Sequence, residues 1–463
     1  MSQTTPGRRL SGRRVRLDTT TVLAVLLPLV TVGALLLVRG GGDSVAEPHP
    51  PTRTSLKSAT IVCPSALPGS PAAYLSTVGD GARGEVEVRA GSEKDTARLQ
   101  EGRVTTVRPG TGPVAVDGED DLAAGLLGAR FGGAQLASTA CPATSPHQWF
   151  TGVGAAVRHD SVLEVVNPDA GRAVADVTVY AGTGAVDVPR LRGVSVPGHS
   201  SVRLDLGAVA PRRGELALQV VTSRGRLAYS VLDSSDELGR GQASQDWLPG
   251  QADPATDNLV LGLAGGAGSR LLTLANGGDD EVRAQVKFVS EDSVFAPEGL
   301  DEVRVPPQGV ARLSLTDALQ SAVADGVVGL EVTSTQPVTA TLRSFVDGDL
   351  SHAVGAPPIR HGASAIVPTG AKRVVLAGAR SVGAVTVVSR SASGEELDRT
   401  RADLRPGRGA VVTVPPRATL VSVVPQNTSV TGSVIVSGRG AAVVPLVDPV
   451  LSGLVPDVRP GLS

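Results

Sequence analysis

The chain has 463 residues, 41% of them apolar but only 2% aromatic, with 56 Gly, 33 Pro and a formal charge of −2. That length allows two to four domains with cores of Val, Leu and Ala, and Gly and Pro without a collagen period ask for many turns. Residues 1–18 hold five Arg against Asp18, a local charge of +4 that leaves −6 for the rest; with no basic face to track phosphates and few rings to stack bases, nucleic acid is not expected as a partner.

Arg8, Arg9, Arg13, Arg14 and Arg16 precede Thr19–Val38, TTTVLAVLLPLVTVGALLLV, which carries no charge. At about 1.5 Å per residue a helix over this stretch reaches the ~30 Å of a bilayer's hydrocarbon core, and Pro28 is tolerable there as a kink. Five Arg on one flank against Arg39 on the other place the N-terminus in the cytoplasm and everything after it outside. The segment reads as a transmembrane signal anchor, with the lipid bilayer as partner through Thr19–Val38. A cleaved signal peptide, with Ser44 and Ala46 near the cut, is the competing reading and gives a secreted body. The paired Arg also suggest a twin-arginine signal, but no apolar residues follow in register. Residues 39–58, rich in Gly, Pro and Ser, read as a flexible stalk.

Residues 59–145 form an N-terminal β-rich unit, less regular than the remainder of the chain. Gly84–Ala90, Val104–Val107 and Val114–Val116 alternate like strands, and Asp120–Arg130, DDLAAGLLGAR, reads as a short helix. Cys63 and Cys141 both precede Pro, with no C-x-x-C or Cys/His cluster to suggest metal. They are either a disulfide or two unrelated buried thiols; outside the cytoplasm the disulfide is favoured and would pin the two ends of the unit.

The next stretch is built from a repeated brick. Leu163 and Val165 alternate into a turn at Asn167, and Val177 and Val179 resume the alternation; Leu272 and Leu274 lead to Asn276, and Val286 and Phe288 come after it at the same spacing. Val196-Pro197 matches Val305-Pro306, and Leu204 and Leu206 match Leu313 and Leu315, all at an offset of 109, while Val221-Thr222-Ser223 matches Val332-Thr333-Ser334 at 111. A fainter third copy runs through Val374–Ala377, Ala384–Val387, Val412, Val414, Leu420–Val424 and Val434–Val436. About seven short strands per copy predict β-sandwiches of immunoglobulin-like size over residues 146–250, 251–358 and 359–463. A β-propeller is the runner-up, but the period is too long for its blades.

Cys63-Pro64, Cys141-Pro142 with Gln148-Trp149-Phe150-Thr151-Gly152, Leu163–Pro168, Asp246-Trp247-Leu248-Pro249 and the recurring Val-Pro together resemble a family of exported actinobacterial proteins of unknown function. The resemblance covers nearly the whole exported body, and Arg outnumbering Lys 39 to 4 fits a GC-rich genome. It departs at Arg405-Pro406, where Val-Pro is lost, and at Asn276-Gly277, where Pro is. It implies location and architecture and carries no catalytic residues.

Chemical motifs are weak throughout. GHSSV at Gly198–Val202 lacks the closing Gly of a nucleophile elbow. The six His (His49, His147, His159, His199, His352 and His361) lack metal-ligand spacing and are expected in exposed turns. The acidic runs Asp117–Asp121, Asp233–Glu237 and Asp347–Asp349 lack EF-hand spacing and read as solvated turns. Trp149 and Trp247 fall where units meet and are expected to pack against a neighbouring unit. TGAKR at Thr369–Arg373 is no phosphate loop, LPGQA at Leu248 is no sortase signal, and Asn427-Thr428-Ser429 matches a glycosylation sequon.

The expectation is an all-β chain of tandem immunoglobulin-like β-sandwich repeats preceded by one transmembrane helix. Its expected role is a non-enzymatic single-pass envelope protein, serving as scaffold, spacer or partner-binding module for envelope proteins or polymers, without cofactor, metal or catalytic residue. The alternative is an enzyme or accessory subunit acting on cell-wall polysaccharide.

Overall fold

The structure, a computed structural model, describes residues 19–38, 52–133, 135–236 and 243–455. Thr19–Val38 is a helix, α1, with Pro28 inside it. Its helical backbone runs for 20 residues, but its side chains are described only from Val22 to Leu35. Among the described residues no helix is long and apolar enough to cross a membrane. Arg8, Arg9, Arg13, Arg14, Arg16, Arg39 and His49 lie outside the described residues.

Thr54–Gly453 is one compact unit. It is preceded by the start of β1 (Thr52–Ser55) and holds four successive sets of strands. The first set is β2 (Ser58–Cys63), β3 (Ala73–Thr77), β4 (Arg83–Ala90), β5 (Glu93–Gln100), β6 (Thr105–Val107), β7 (Val114–Glu119), β8 (Leu126–Gly132) and β9 (Ala137–Ala140). The second is β10 (His147–Ala156), β11 (His159–Asn167), β12 (Ala173–Ala181), β13 (Gly184–Val186), β14 (Val194–Val196), β15 (Ser200–Asp205), α2 (Leu206–Val209), β16 (Arg213–Arg224), β17 (Ala228–Ser235) and β18 (Ser244–Leu248). The third is β19 (Ala255–Leu261), β20 (Gly268–Asn276), β21 (Val282–Ser290), β22 (Val294–Phe295), β23 (Val303–Val305), β24 (Gly309–Ser314), α3 (Thr316–Ala324), β25 (Val327–Val346) and β26 (Asp349–Val354). The fourth is β27 (Ala363–Ile366), β28 (Ala371–Ala377), β29 (Gly383–Arg390), β30 (Glu396–Leu404), β31 (Ala410–Val414), β32 (Leu420–Gln426), β33 (Thr431–Gly438) and β34 (Gly440–Leu446), after which comes β35 (Ser452–Val455).

Every set has one antiparallel plan. In one sheet the first strand pairs with the sixth, the sixth with the third and the third with the fourth; in the facing sheet the fifth pairs with the second, the second with the seventh and the seventh with the eighth. The first set is β2-β7-β4-β5 over β6-β3-β8-β9, and the fourth is β27-β32-β29-β30 over β31-β28-β33-β34. In the second and third sets the fourth position is split into two short strands, and β25 runs 20 residues, supplying both the sixth and the seventh position. The N-terminal unit is therefore a fourth copy of the brick, not an irregular appendage. These are all-β sandwiches, but their strand order is not that of an immunoglobulin constant domain: the first strand pairs with the sixth and the seventh with the second and eighth, and in the second set β10 also pairs with β11 at Ala155 and Ala156.

The inward positions of each pair of sheets form one aliphatic core per copy, filled by residues such as Leu75, Leu163, Leu274 and Val387. Leu163 faces Leu204 and Leu272 faces Leu313, while Ala173 faces Val196 and Val282 faces Val305, keeping the offset of 109. The sixth strand departs from the sequence match. Val177 pairs with Val220 and Val286 with Val332, so Val332 is the equivalent of Val220, not of Val221. Val220 and Val332 are both fully buried whereas Val221 is 40% exposed; the repeated Val-Thr-Ser string is a one-residue misregister that would turn the strand inside out.

The repeated Asn is a clasp. Asn167 Nδ2 donates to the carbonyls of Gly171 (2.7 Å), Val196 (3.1 Å) and Pro197 (3.1 Å), and Asn276 Nδ2 to those of Asp280 (2.7 Å) and Pro306 (3.1 Å). Each Asn also accepts, through Oδ1, the N–H two residues on, which closes the turn. This joins the end of the second strand to the Val-Pro that comes after the fourth. Asp120–Arg130 is not a helix: a 3-10 turn over Asp120–Leu122 is followed by strand β8. Gly125, at φ +78, breaks the helix, and the slot between β3 and β9 draws the following residues into the sheet.

The copies close into a ring. Val62 and Ala115 of copy one meet Val166 and Ala228 of copy two. Trp149, Tyr180 and Ala217 of copy two meet Ala275 and Val310 of copy three. Leu261, Val289 and Val328 of copy three meet Val375, Ala377 and Ile435 of copy four. Ile366 and Leu420 of copy four return to Ala129 of copy one, and Val104 N–H donates to Ala392 C=O at 3.0 Å across the same seam.

Candidate functional site

In each copy the eighth strand ends its sheet, leaving one row of N–H and C=O groups without a ladder partner. The four eighth strands solve this together: β9 packs beside β18, β18 beside β26, β26 beside β34, and β34 beside β9. Edges that would template aggregation are thereby turned toward one another at the middle of the ring. Because they meet edge to edge, the side chains between them are polar, and Ser138, Ser244, Asp246, Asp349, Ser351 and His352 are all at least 96% buried.

A chain of ionisable groups runs through this hub. Arg343 on β25 donates to Glu215 on β16 at 2.9 Å, and Glu215 Oε1 lies 3.2 Å from His159 Nδ1 at the start of β11. His159 Nε2 is 3.0 Å from Asp233 Oδ1 on β17, and His352 Nε2 on β26 is 3.0 Å from Asp233 Oδ2. His352 Nδ1 in turn lies 3.7 Å from Asp246 Oδ2 on β18, an ion-pair contact too long for a hydrogen bond. The Ser161 hydroxyl also donates to Asp233. Copies one and four join through backbone: Ser138 N–H donates to Asp246 at 3.3 Å, and Ala441 N–H to Asp349 at 2.8 Å, with Ser244 Oγ on the other Asp349 oxygen at 3.0 Å. All four copies thus touch one polar network.

Burial opposes the charge on His159, but Asp233 and Glu215 outweigh it and raise its pKa to about 9. His352 is likewise raised against burial by Asp233 and Asp246. Burial favours protonation of Asp233, yet the two imidazolium neighbours hold its carboxyl far below the usual range. Asp246 and Asp349 go the other way, each pushed up to about 6, chiefly by burial; the charge of Asp349 adds to the shift of Asp246.

Two clefts reach the surface. One, of about 620 Å³, opens onto the hub between copies three and four and is lined by Asp347, Asp349, Lys372, Arg373 and Arg439, with Gln135 of copy one. Lys372 Nζ is committed to the carbonyls of Gly370 (3.0 Å), Pro416 (2.8 Å) and Ala418 (2.9 Å), and burial lowers its pKa to about 8. The other, of about 600 Å³, lies on the seam of copies two and three and is acidic, with Asp253, Asp279, Asp280 and His147 on its walls. Among the described residues no cluster of His, Cys, Asp or Glu could hold a metal ion.

Cys63 and Cys141 form the disulfide, joining the end of β2 to the residue after β9. Trp149 and Trp247 pack at seams as expected: Trp149 stacks on Tyr180 at 5.2 Å, and Trp247 rests on Leu67 and Ala137 of copy one. His199 sits in a turn at φ +51, its Nδ1 2.8 Å from Pro168 O, and His147 and His361 are exposed beside Asp253 and Asp448. His159 and His352 overturn the expectation of exposed turn histidines, and Asp233 and Asp349 that of solvated acidic turns. The missed signal is the alternation itself. In SVLDSS and HDSVLEVV, Asp233 and His159 fall in step with inward residues of strands, where a charged side chain is buried unless the register is wrong.

The sequence pattern of a family of unknown function (DUF5719) matches residues 131–415 of the chain. No curated protein matches the chain.

Proposed function

We propose, for a chain that belongs to the family of unknown function DUF5719, that the protein is a non-enzymatic envelope scaffold. In this reading a ring of sandwiches of immunoglobulin-like size is carried outside the membrane by Thr19–Val38 as a signal anchor. The observation that carries the scaffold reading is where the reactive side chains go. Asp233, Asp246 and His352 are 0–2% exposed and are spent on joining copies, so no substrate can touch them. The anchor reading is supported by the uncharged helix α1, whose described Leu and Val side chains are largely exposed, and by the Arg on its N-terminal flank. Loops on the outer rim of the ring are then free to bind envelope proteins or polymers.

Fusing alkaline phosphatase or a fluorescent protein to the C-terminus tests location: phosphatase active and fluorescence dark is the expected result, and the reverse overturns the anchor. Cross-linking in intact cells followed by purification is expected to recover envelope neighbours, and recovery of none counts against the scaffold.

A second reading, an accessory subunit acting on cell-wall polysaccharide, is favoured by the acidic cleft, whose Asp253, Asp280 and Gln336 suit sugar hydroxyls. Titration with cell-wall oligosaccharide, followed by calorimetry on the wild type and on Asp280→Ala, distinguishes the two: binding lost in the variant supports it, and no binding removes it.

A further inference from the structure

Among the described residues the hub carries one carboxylate too many. Its cations are His159, His352 and Arg343; its carboxylates are Glu215, Asp233, Asp246 and Asp349. Glu215 and Asp233 are each paired with a cation, Asp246 has only a share of His352, and Asp349 is held by the Ser244 hydroxyl and by the backbone N–H groups of Ala441 and Leu350. β9 and β34 bring no charged residue to the hub. Asp160, also on β11, is occupied by Gly207 N–H at 2.9 Å. Around the cleft, Asp347 acts on the buried Arg270, Arg373 donates to the Leu263 carbonyl at 3.3 Å, and Lys372 is turned onto its three carbonyls.

A buried excess charge is costly, and a carboxyl sheds it by keeping its proton. We propose that closing the ring draws one proton from solvent onto the Asp246–Asp349 pair, so that the four copies hold together more tightly in mild acid than at neutral pH. The geometry suits a device of this kind. Asp246 holds copy one through Ser138 N–H, and Asp349 holds copy four through Ala441 N–H. The 620 Å³ cleft, of which Asp349 and Ser351 form part of the wall, gives solvent a path to the pair. The inference concerns the ring itself and is independent of where the protein resides.

A carboxyl whose folded value is raised binds its proton more strongly in the ring than in the open chain. The stability it contributes is present at low pH and lost as pH rises from the unfolded value of 3.8 through about 6. For one shared proton, the equilibrium for closing the ring weakens by about 20-fold between pH 4.5 and 6.5.

Hydrogen exchange on the full-length chain, corrected for the intrinsic pH dependence of amide exchange, tests this. Protection of the β9, β18 and β34 segments is expected to fall by about 20-fold from pH 4.5 to 6.5 in the wild type. Asp246→Asn keeps Oδ1 as acceptor for Ser138 and Trp247 N–H and leaves a charge-balanced hub, so the fall should shrink. Asp349→Asn supplies the same reading if that variant does not fold. Flat protection in the wild type, or a fall unchanged in both variants, overturns the proposal.

Discussion

Replacing Asp233 by Ala tests the hub most directly. Its two carboxylate oxygens receive His159 Nε2 and His352 Nε2, each at 3.0 Å, and the Ser161 hydroxyl. Without it, two buried rings and a hydroxyl face one another with no acceptor, and breaking a buried ion pair by removing one partner costs about 3–5 kcal/mol. A body of roughly 400 residues has an unfolding entropy of about 0.8 kcal/mol/K, so a single cooperative transition should move down by about 4–6 °C. The effect has a pH signature. Asp233 is held below its ordinary value, so its contribution is present above pH 3.8 and lost as pH falls below it. His159, raised to about 9, contributes fully below its unfolded value of 6.5 and loses that contribution as pH rises through about 9. The gap between wild type and Asp233→Ala should therefore be widest between pH 3.8 and 6.5 and close toward alkali. Scanning calorimetry at pH 5, 7 and 9 measures it, with Asp233→Asn, which retains one acceptor, falling between the two. A difference under about 1 kcal/mol at pH 5, or one that widens toward pH 9, refutes the reasoning, because a surface pair is worth no more than that.

Three further outcomes rest on single contacts. Converting Cys63 and Cys141 together to Ser frees a loop closed over a separation of 78 residues, and denaturant titration should show a loss of about 4.5 kcal/mol on the chain-entropy account. Gly440→Ala places a methyl 1.8 Å from an Asp349 oxygen at a backbone φ of +121, so the thermal midpoint should fall more than for Gly438→Ala, which meets open space. Trp149→Ala empties the seam between copies two and three, and the loss of a buried Trp should cost about 3–5 kcal/mol in the same titration, with new protease sites near Gly277, which packs on the indole edge.

The brick was legible because its punctuation is a hydrogen-bonded clasp that closes each turn. Asn at the end of the second strand and Val-Pro thirty residues later are the two halves of one hydrogen-bonded clasp, so their spacing survives where side chains drift. Copy one lacks that Asn, its β3 ending in Thr77, and its ends are tied instead by the disulfide from Cys63 at the end of β2 to Cys141 after β9. The helix expected over Asp120–Arg130 fails for a related reason: Leu126, Arg130 and their neighbours have helical propensity, but a sheet lacking its seventh strand outweighs it. The hub was legible only in part, since alternation marks Asp233 and His159 as inward but says nothing of what they meet. Only the meeting of four strands from across the chain turns Asp246 and His352 into neighbours.

That meeting also explains why the middle of the ring is ionic. Four copies of one plan present four similar edges, and an aliphatic seam would let any edge accept any other, because apolar contact is not directional. The groups at the edges are instead unlike: Ser138 offers an N–H, Asp246 accepts it, His352 reaches the far oxygen of Asp246, and Asp349 accepts from Ala441. Pairing β18 with β34 in place of β26 would leave Asp246 without His352 and Asp349 without Ser244, stranding buried charge at a cost of several kcal/mol each. The aliphatic clusters at the seams supply attraction between copies, while the polar hub assigns each copy its neighbour. The chemistry that resembles an active site by composition is, by position, what fixes the order of the ring.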